Sequence, residues 1–155
     1  MDAITSCLSG RGIPAHELRV ELTETIVIRS IDQVSRALGQ LRAVGVGIAL
    51  DDFGTGYAGL DYLQTLPFSC IKIDKSFVQQ INTSERSLHI VKIALKLARG
   101  LDMTTVAEGI EDQGIADQLR AMGCTYAQGY HFGLPMPKSA IAAWLTNFNG
   151  GPVAA

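Results

Sequence analysis

The sequence predicts an α/β fold in which about five parallel strands alternate with helices. Three observations carry this prediction. Short apolar runs of β-like composition alternate with longer segments whose apolar residues recur at helical spacing. Glycines follow three of the helical segments, at Gly45, Gly100 and Gly123, the position where a helix most readily turns off its axis. An ionisable or amide side chain stands at the end of every strand-like run, the edge at which parallel β/α folds assemble their sites. The 155 residues are a one-domain length, and 47% hydrophobic against 18% charged residues is the composition of a chain that buries a core.

The elements follow in order. Residues before Gly12 read as one helical stretch ending at Gly10 or Gly12. Residues 18–22 are a first strand. Residues 31–44 carry Ile31, Val34, Leu38 and Leu41 on one helical face, and Gly45 stops them. Residues 46–50 are a second strand, followed by a glycine-rich turn and a short helix over 58–66 closed by Pro67. Residues 70–73 are a third strand and 76–81 a short helix. Residues 87–99 form a clear helix with Ile90, Ile93, Ala94 and Leu97 on its apolar face. Residues 103–107 and 125–128 are the fourth and fifth strands, separated by a helix over 113–122. A last helix over 139–148 contains Trp144, read as core with Ile141 and Leu145 near it, and residues 149–155 read as a flexible tail. Strand–helix alternation of this kind fits either an open doubly wound sheet or a (β/α)₈ barrel. No G-x-G-x-x-G follows the first strand, which disfavours a dinucleotide-binding sheet.

Several function classes are excluded or disfavoured. A formal net charge of −2 argues against a surface for duplex nucleic acid. His16, His89 and His131 are scattered and share no ligand spacing. Cys7, Cys70 and Cys124 are odd in number with no metal or redox spacing, which suits buried thiols in a reducing compartment. The N-terminus shows no basic segment followed by an apolar one, and no stretch is long and apolar enough to span a bilayer, so the chain is expected to be cytoplasmic.

The strand ends carry the chemistry. The first run holds Glu21, with Glu24 just beyond; the second ends in Asp51 and Asp52; the third carries Lys72 and Asp74; the fourth leads to Glu108 and Glu111; the fifth ends in Gln128. Glu21, Asp51 and Asp52 are hard oxygen donors, and converging carboxylates repel unless cations neutralise them, so the set suits Mg²⁺ or Mn²⁺. Two such ions activate water and clamp a phosphate. Lys72 adds positive charge toward a phosphoryl oxygen, and Glu108 is a further ligand or a base for the attacking water. Metal-assisted phosphodiester hydrolysis is the reaction this set points to. The glycines of Asp52-Phe53-Gly54-Thr55-Gly56-Tyr57 let a loop approach a ligand, and Glu24 is placed to accept hydrogen bonds from its backbone.

Five segments in order, Glu21-Leu22-Thr23-Glu24, Asp51-Asp52-Phe53-Gly54-Thr55-Gly56, Lys72-Ile73-Asp74, Ala107-Glu108-Gly109-Ile110-Glu111 and Gln128-Gly129-Tyr130, resemble the successive signatures of the EAL domain family. The resemblance runs from about Gly12 to Leu145. It implies a (β/α)₈ TIM-type barrel that hydrolyses cyclic-di-GMP to linear pGpG with Mg²⁺ or Mn²⁺. By motif, Glu21, Asp51 and Asp52 match metal ligands, and Lys72 and Glu108 match residues around the catalytic water. Gln128 and Glu111 match substrate-side positions, Glu24 the carboxylate that steadies the Asp-Asp-Phe-Gly loop, and Asp74 an orienting residue. The family's Glu-Ala-Leu strand and its following Asn strand have no counterpart in this sequence. Residues 1–148 are therefore expected to be an incomplete barrel, with the absent ligands upstream of Met1. Hydrolysis by the chain alone is then expected to be weak or absent, and a homodimer or an N-terminal segment is expected to complete the site. The alternative is a non-catalytic module that binds cyclic-di-GMP or another protein.

Overall fold

A computed structural model of the chain describes residues 2–29, 31–56 and 61–148. The expected tail at 149–155 and the first turn of the expected helix at 58–66 lie outside the described residues.

Five strands form one sheet: β1 (Arg19–Thr23), β2 (Gly47–Phe53), β3 (Cys70–Ile73), β4 (Thr104–Ala107) and β5 (Tyr126–Ala127). All pairings are parallel and the spatial order is β1-β2-β3-β4-β5. This order decides between the two architectures left open above. A doubly wound sheet reverses its strand order at a switch point. Here every strand lies beside its predecessor, so the chain winds in one direction, as it does in a barrel. The helices are α1 (Asp2–Gly10), α2 (Glu24–Arg29), α3 (Ile31–Ala43), α4 (Asp61–Thr65), α5 (Lys75–Val78), α6 (Glu85–Gly100), α7 (Gln113–Ala121) and α8 (Lys138–Asn147), with a 3-10 turn at Ala15–Glu17 before β1.

The two faces of the sheet separate by the period of two along each strand. Val20, Leu22, Ile48, Leu50, Ile71, Ile73 and Ala107 point to the helices and form the main core with Leu38, Leu63, Val91, Leu95, Ile115 and Leu119. The opposite face buries a smaller cluster of Ala49, Cys70 and Val106 against Tyr126. That second face is concave. The Arg19 guanidinium lies 5.9 Å from the centroid of the Tyr126 ring. These residues sit on β1 and β5, which in a flat sheet would be four spacings of about 4.8 Å apart. The sheet therefore curls far enough for long side chains of its two edge strands to meet across its concave face. Among the described residues β1 pairs only with β2 and β5 only with β4, so the curl is open.

Three features depart from the sequence reading. Residues 24–29 were assigned no element, yet they form α2. Their run of Thr25, Ile26, Val27 and Ile28 has poor intrinsic helicity, and the helix is held by its place behind β1 and β2. The apolar face expected on α6 is rotated: Ser87, Val91, Ala94, Leu95 and Ala98 are buried, while Ile93 is 61% exposed. Two overlapping apolar stripes run along this helix, and the one with small side chains lets it lie close on β3 and β4. Trp144 is not core. No residue of α8 is buried, and the indole is half-exposed, stacked on Phe148 with ring centroids 4.7 Å apart.

Candidate active site

Strand alternation places Glu21, Asp51, Lys72 and Glu108 on the concave face, two residues above Arg19, Ala49, Cys70 and Val106 in each case. Glu108 follows the last residue of β4, and its N–H still donates to the Ile73 carbonyl at 3.1 Å, which continues the ladder by one step. Four charged side chains from four neighbouring strands thus share one level.

Lys72 stands at their centre. Its Nζ lies 2.6 Å from Glu21 Oε2, 2.6 Å from Glu108 Oε1 and 3.1 Å from Asp51 Oδ1, and its side chain is 7% exposed. Burial works against the ammonium, but the contacts with Glu108, Glu21 and Asp51 outweigh it and hold the lysine above its usual range. Asp51 Oδ1 is itself buried and makes no hydrogen bond: it meets the ammonium at ion-pair distance, outside hydrogen-bond geometry.

Adjacent residues on a regular strand point to opposite faces, so Asp52 should aim into the helix-side core. It does not. The register of β2 against β3 shifts between Leu50 and Phe53, and Asp52 takes a left-handed backbone with φ 55°. This is the behaviour of a β-bulge, and Asp is one of the few residues that enters this region without large strain. The irregularity returns Phe53 to the helix-side core, where it pairs with Ile73. It also turns Asp52 toward Asp51. Oxygens of Asp51, Asp52 and Glu108 consequently all lie within 4.8 Å of one another.

The crowding shows in their proton affinities. Glu108 is raised above the usual carboxylate range by burial, and Asp51 and Asp52 push the same way against the attraction of Lys72. Asp52 is raised by burial, then by Asp51 and Asp74. Three carboxylates at coordinating separation, with no nitrogen or sulfur donor among them, fit a hard divalent cation. Glu21 is the outlier of the expected ligand set. It is directed at Lys72, and its side chain is 44% exposed.

Glu24 opens α2 and is 4% exposed. Its Oε2 accepts the Gly56 N–H at 2.9 Å and its Oε1 accepts the Tyr62 hydroxyl at 3.2 Å. A Cβ on residue 56 would lie 2.7 Å from Glu24 Cδ, so the approach requires glycine. Asp74 caps the short helix α5, accepting from the Ser76 N–H at 2.9 Å and from the Ser76 hydroxyl. It reaches Asp52 only through its charge.

Gln128 and Glu111 are exposed and lie to one side, where Lys75, Gln79, Glu108, Glu111, Gln128 and Tyr130 line a cleft of about 240 Å³. Gln79 donates to Glu111 at 2.8 Å. The backbones of residues 109–110 and 128–129 are pressed together here: Ile110 N–H donates to the Gln128 carbonyl at 3.1 Å, and any side chain at Gly129 would strike the Ile110 backbone. Lys75, Gln79 and Tyr62 were not singled out from the sequence, and Tyr130 entered only within the Gln128-Gly129-Tyr130 segment. Lys75 directly follows the Lys72-Ile73-Asp74 segment, and that adjacency was its one available signal. His89 and His131 are engaged elsewhere, with the Glu85 carbonyl and Gln113.

The sequence profile of the EAL domain matches residues 1–135. The oxygen sensor protein DosP of Escherichia coli is 37% identical over 144 residues, 93% of this chain and 18% of that protein. The structure of the PaMucR phosphodiesterase in complex with c-di-GMP superposes with a TM-score of 0.85 at 37% identity, covering 90% of this chain and 57% of that one. Klebsiella pneumoniae BlrP1, solved with manganese and cyclic-di-GMP, gives a TM-score of 0.80 at 34% identity over 86% of this chain and 34% of that one. The chain spans about a fifth of the length of the curated relatives it matches.

Proposed function

The chain belongs to the EAL domain family, and from that premise we propose that it contributes the greater part of a site for metal-dependent hydrolysis of cyclic-di-GMP to linear pGpG. The observation that carries the proposal is the convergence of oxygens of Asp51, Asp52 and Glu108 within 4.8 Å of one another, beside Lys72. The PaMucR and BlrP1 complexes, with c-di-GMP and with manganese plus cyclic-di-GMP, support the choice of substrate and ion.

In this reading Asp51 and Asp52, joined by Glu21 as the family resemblance implies, would hold Mg²⁺ or Mn²⁺. The bound cation supplies Lewis acidity toward a phosphoryl oxygen and lowers the pKa of water. Glu108, its proton affinity raised by burial, is suited to take the proton of the attacking water. Lys72 keeps its proton and balances charge that develops on the phosphate. Glu24 holds the loop that carries Asp52, Asp74 biases Asp52 through its charge, and Gln128 and Glu111 meet the substrate along the cleft beside Glu108. The free cysteines suit the reducing bacterial cytoplasm, and no helix among the described residues is long and apolar enough to cross a membrane.

The family's Glu-Ala-Leu and Asn ligands have no counterpart in this sequence, so turnover by these 155 residues alone is expected to be weak or absent. The open edges of β1 and β5 support completion by a further segment or a second copy, and they favour a second reading as a non-catalytic binding or interaction module. The deciding assay follows cyclic-di-GMP conversion to pGpG with Mn²⁺ or Mg²⁺, alongside Glu108→Ala. Turnover lost in the variant supports the enzyme. Metal-dependent binding without turnover supports the module. Absence of both once a completing segment or a second copy is supplied rejects the substrate.

A further inference from the structure

The loop carrying Asp52 is tied down by a continuous run of hydrogen bonds that ends on a residue outside the site. The Asp52 carbonyl accepts from the Thr55 N–H at 3.2 Å and from the Thr55 hydroxyl at 2.8 Å. The next residue, Gly56, donates its N–H to Glu24 Oε2 at 2.9 Å. The other oxygen of Glu24 accepts from Tyr62 at 3.2 Å. Tyr62 lies on α4, is 4% exposed, and its ring is fixed edge-on against Phe68 with centroids 6.4 Å apart.

A carboxylate with one oxygen bonded retains freedom to turn about its last torsion, and a side chain of this length has several staggered wells. With both oxygens engaged, one by the Gly56 amide of the turn and the other by the Tyr62 hydroxyl of α4, its orientation is set. Glu24 is almost fully buried, so no water replaces a lost donor at little cost. The Tyr62 hydroxyl is a dependable donor: burial, then the charge of Glu24, hold its proton well above the usual tyrosine range.

We propose that Tyr62 is a positioning residue for the Asp51–Asp52 carboxylate pair, acting through Glu24 and the 52–56 turn. It touches neither carboxylate. Its hydroxyl fixes Glu24, Glu24 fixes the Gly56 amide, and the turn from Gly56 back to Asp52 keeps the left-handed backbone that brings the two carboxylates together. The last step rests on the reading of Asp51 and Asp52 as metal ligands; the earlier steps do not.

The test is Tyr62→Phe, which keeps the ring and its packing and deletes only the hydroxyl. Hydrogen exchange of the metal-free protein is read at the Gly56 amide, with the amides of β3 as controls, and Mn²⁺ affinity is measured by titration. The expected result is Gly56 exchange faster by roughly tenfold, from loosening a hydrogen bond to a charged group, with the β3 amides unchanged and Mn²⁺ binding several-fold weaker. Unchanged Gly56 exchange overturns the proposal, and so does acceleration shared equally by β3, which would make the hydroxyl a contributor to global stability alone. Faster Gly56 exchange with Mn²⁺ affinity unaltered breaks the link from turn to carboxylates. Faster exchange in a protein whose wild type binds no Mn²⁺ upholds the tie from Tyr62 to the loop and rejects the metal reading instead.

Discussion

Two layers of the same concave face differ by one pleat and by everything else. The lower layer is Arg19, Ala49, Cys70, Val106 and Tyr126, in which Ala49 and Cys70 are fully buried. The upper layer, two residues on, is Glu21, Asp51, Lys72 and Glu108. The strands deliver both layers by the same alternation, so the difference is purely one of side chain. The middle of the lower layer, Ala49, Cys70 and Val106, is a buried apolar floor, with Arg19 exposed at its rim. It withholds water from the upper one, and burial heads the causes that raise Glu108 and Asp52. A floor of this kind strengthens every charge interaction above it. The pair of layers explains how a shallow, open curl of sheet sustains four charged groups at contact distance.

The largest effect should come from erasing the distinction. Cys70→Asp puts an unpaired charge into the floor at a fully buried position, and we expect it to cost about 4 kcal/mol or more; loss of soluble protein or a collapsed urea midpoint would be the readout. Removing the centre of the upper layer comes next. Lys72→Met leaves Glu21, Asp51 and Glu108 facing one another, and a loss of about 3 kcal/mol is expected. Added Mn²⁺ should recover part of it in the same urea titration; no recovery would count against a cation site here. Asp51→Asn with Asp52→Asn works in the opposite sense, relieving repulsion in the metal-free chain while weakening Mn²⁺ binding by about 100-fold. Calorimetric titration and a melt together test both halves, and a melting point that falls would show that the carboxylates are paired better than their crowding implies. The smallest change is expected at the rim of the floor, where Arg19→Leu removes the contact with Tyr126 and about 0.5–1 kcal/mol.

Much of this was legible in the chain because short-range rules govern it. The third strand is read at its observed bounds, and Gly45 and Gly123 turn the chain off α3 and α7 with φ 94° and 86°, whereas α6 runs through Gly100 and the turn falls on Asp102, φ 54°. The upper layer was legible for a different reason: charged side chains at four successive strand ends have no cheap alternative to converging. The bulge was not legible. Nothing in Asp51-Asp52-Phe53 announces that the alternation breaks there, since the break is set by pairing with β3. The outward turn of Ile93 was hidden because two apolar stripes fitted the helical period equally well, and only the sheet underneath chooses between them. Trp144 misled because a large aromatic in a helix is usually covered, whereas here it packs with Phe148 and Phe132 as a satellite cluster. Tyr62 carried no signal at all, because its partner Glu24 lies 38 positions away.

The sheet's strand order has a kinetic meaning as well. Arg19 meets Gly47, Ala49 meets Cys70, Cys70 meets Thr104, and Val106 meets Tyr126, so every pairing closes a loop of roughly 20–35 residues. No strand has to wait for a distant one. Parallel pairing over such spans is still slower to form than the contacts of a helical bundle, but none of these closures has to span the whole sheet. During synthesis each βα unit can dock on the edge left by the one before it, so the growing chain need never hold more than one unmatched strand while the ribosome is still at work.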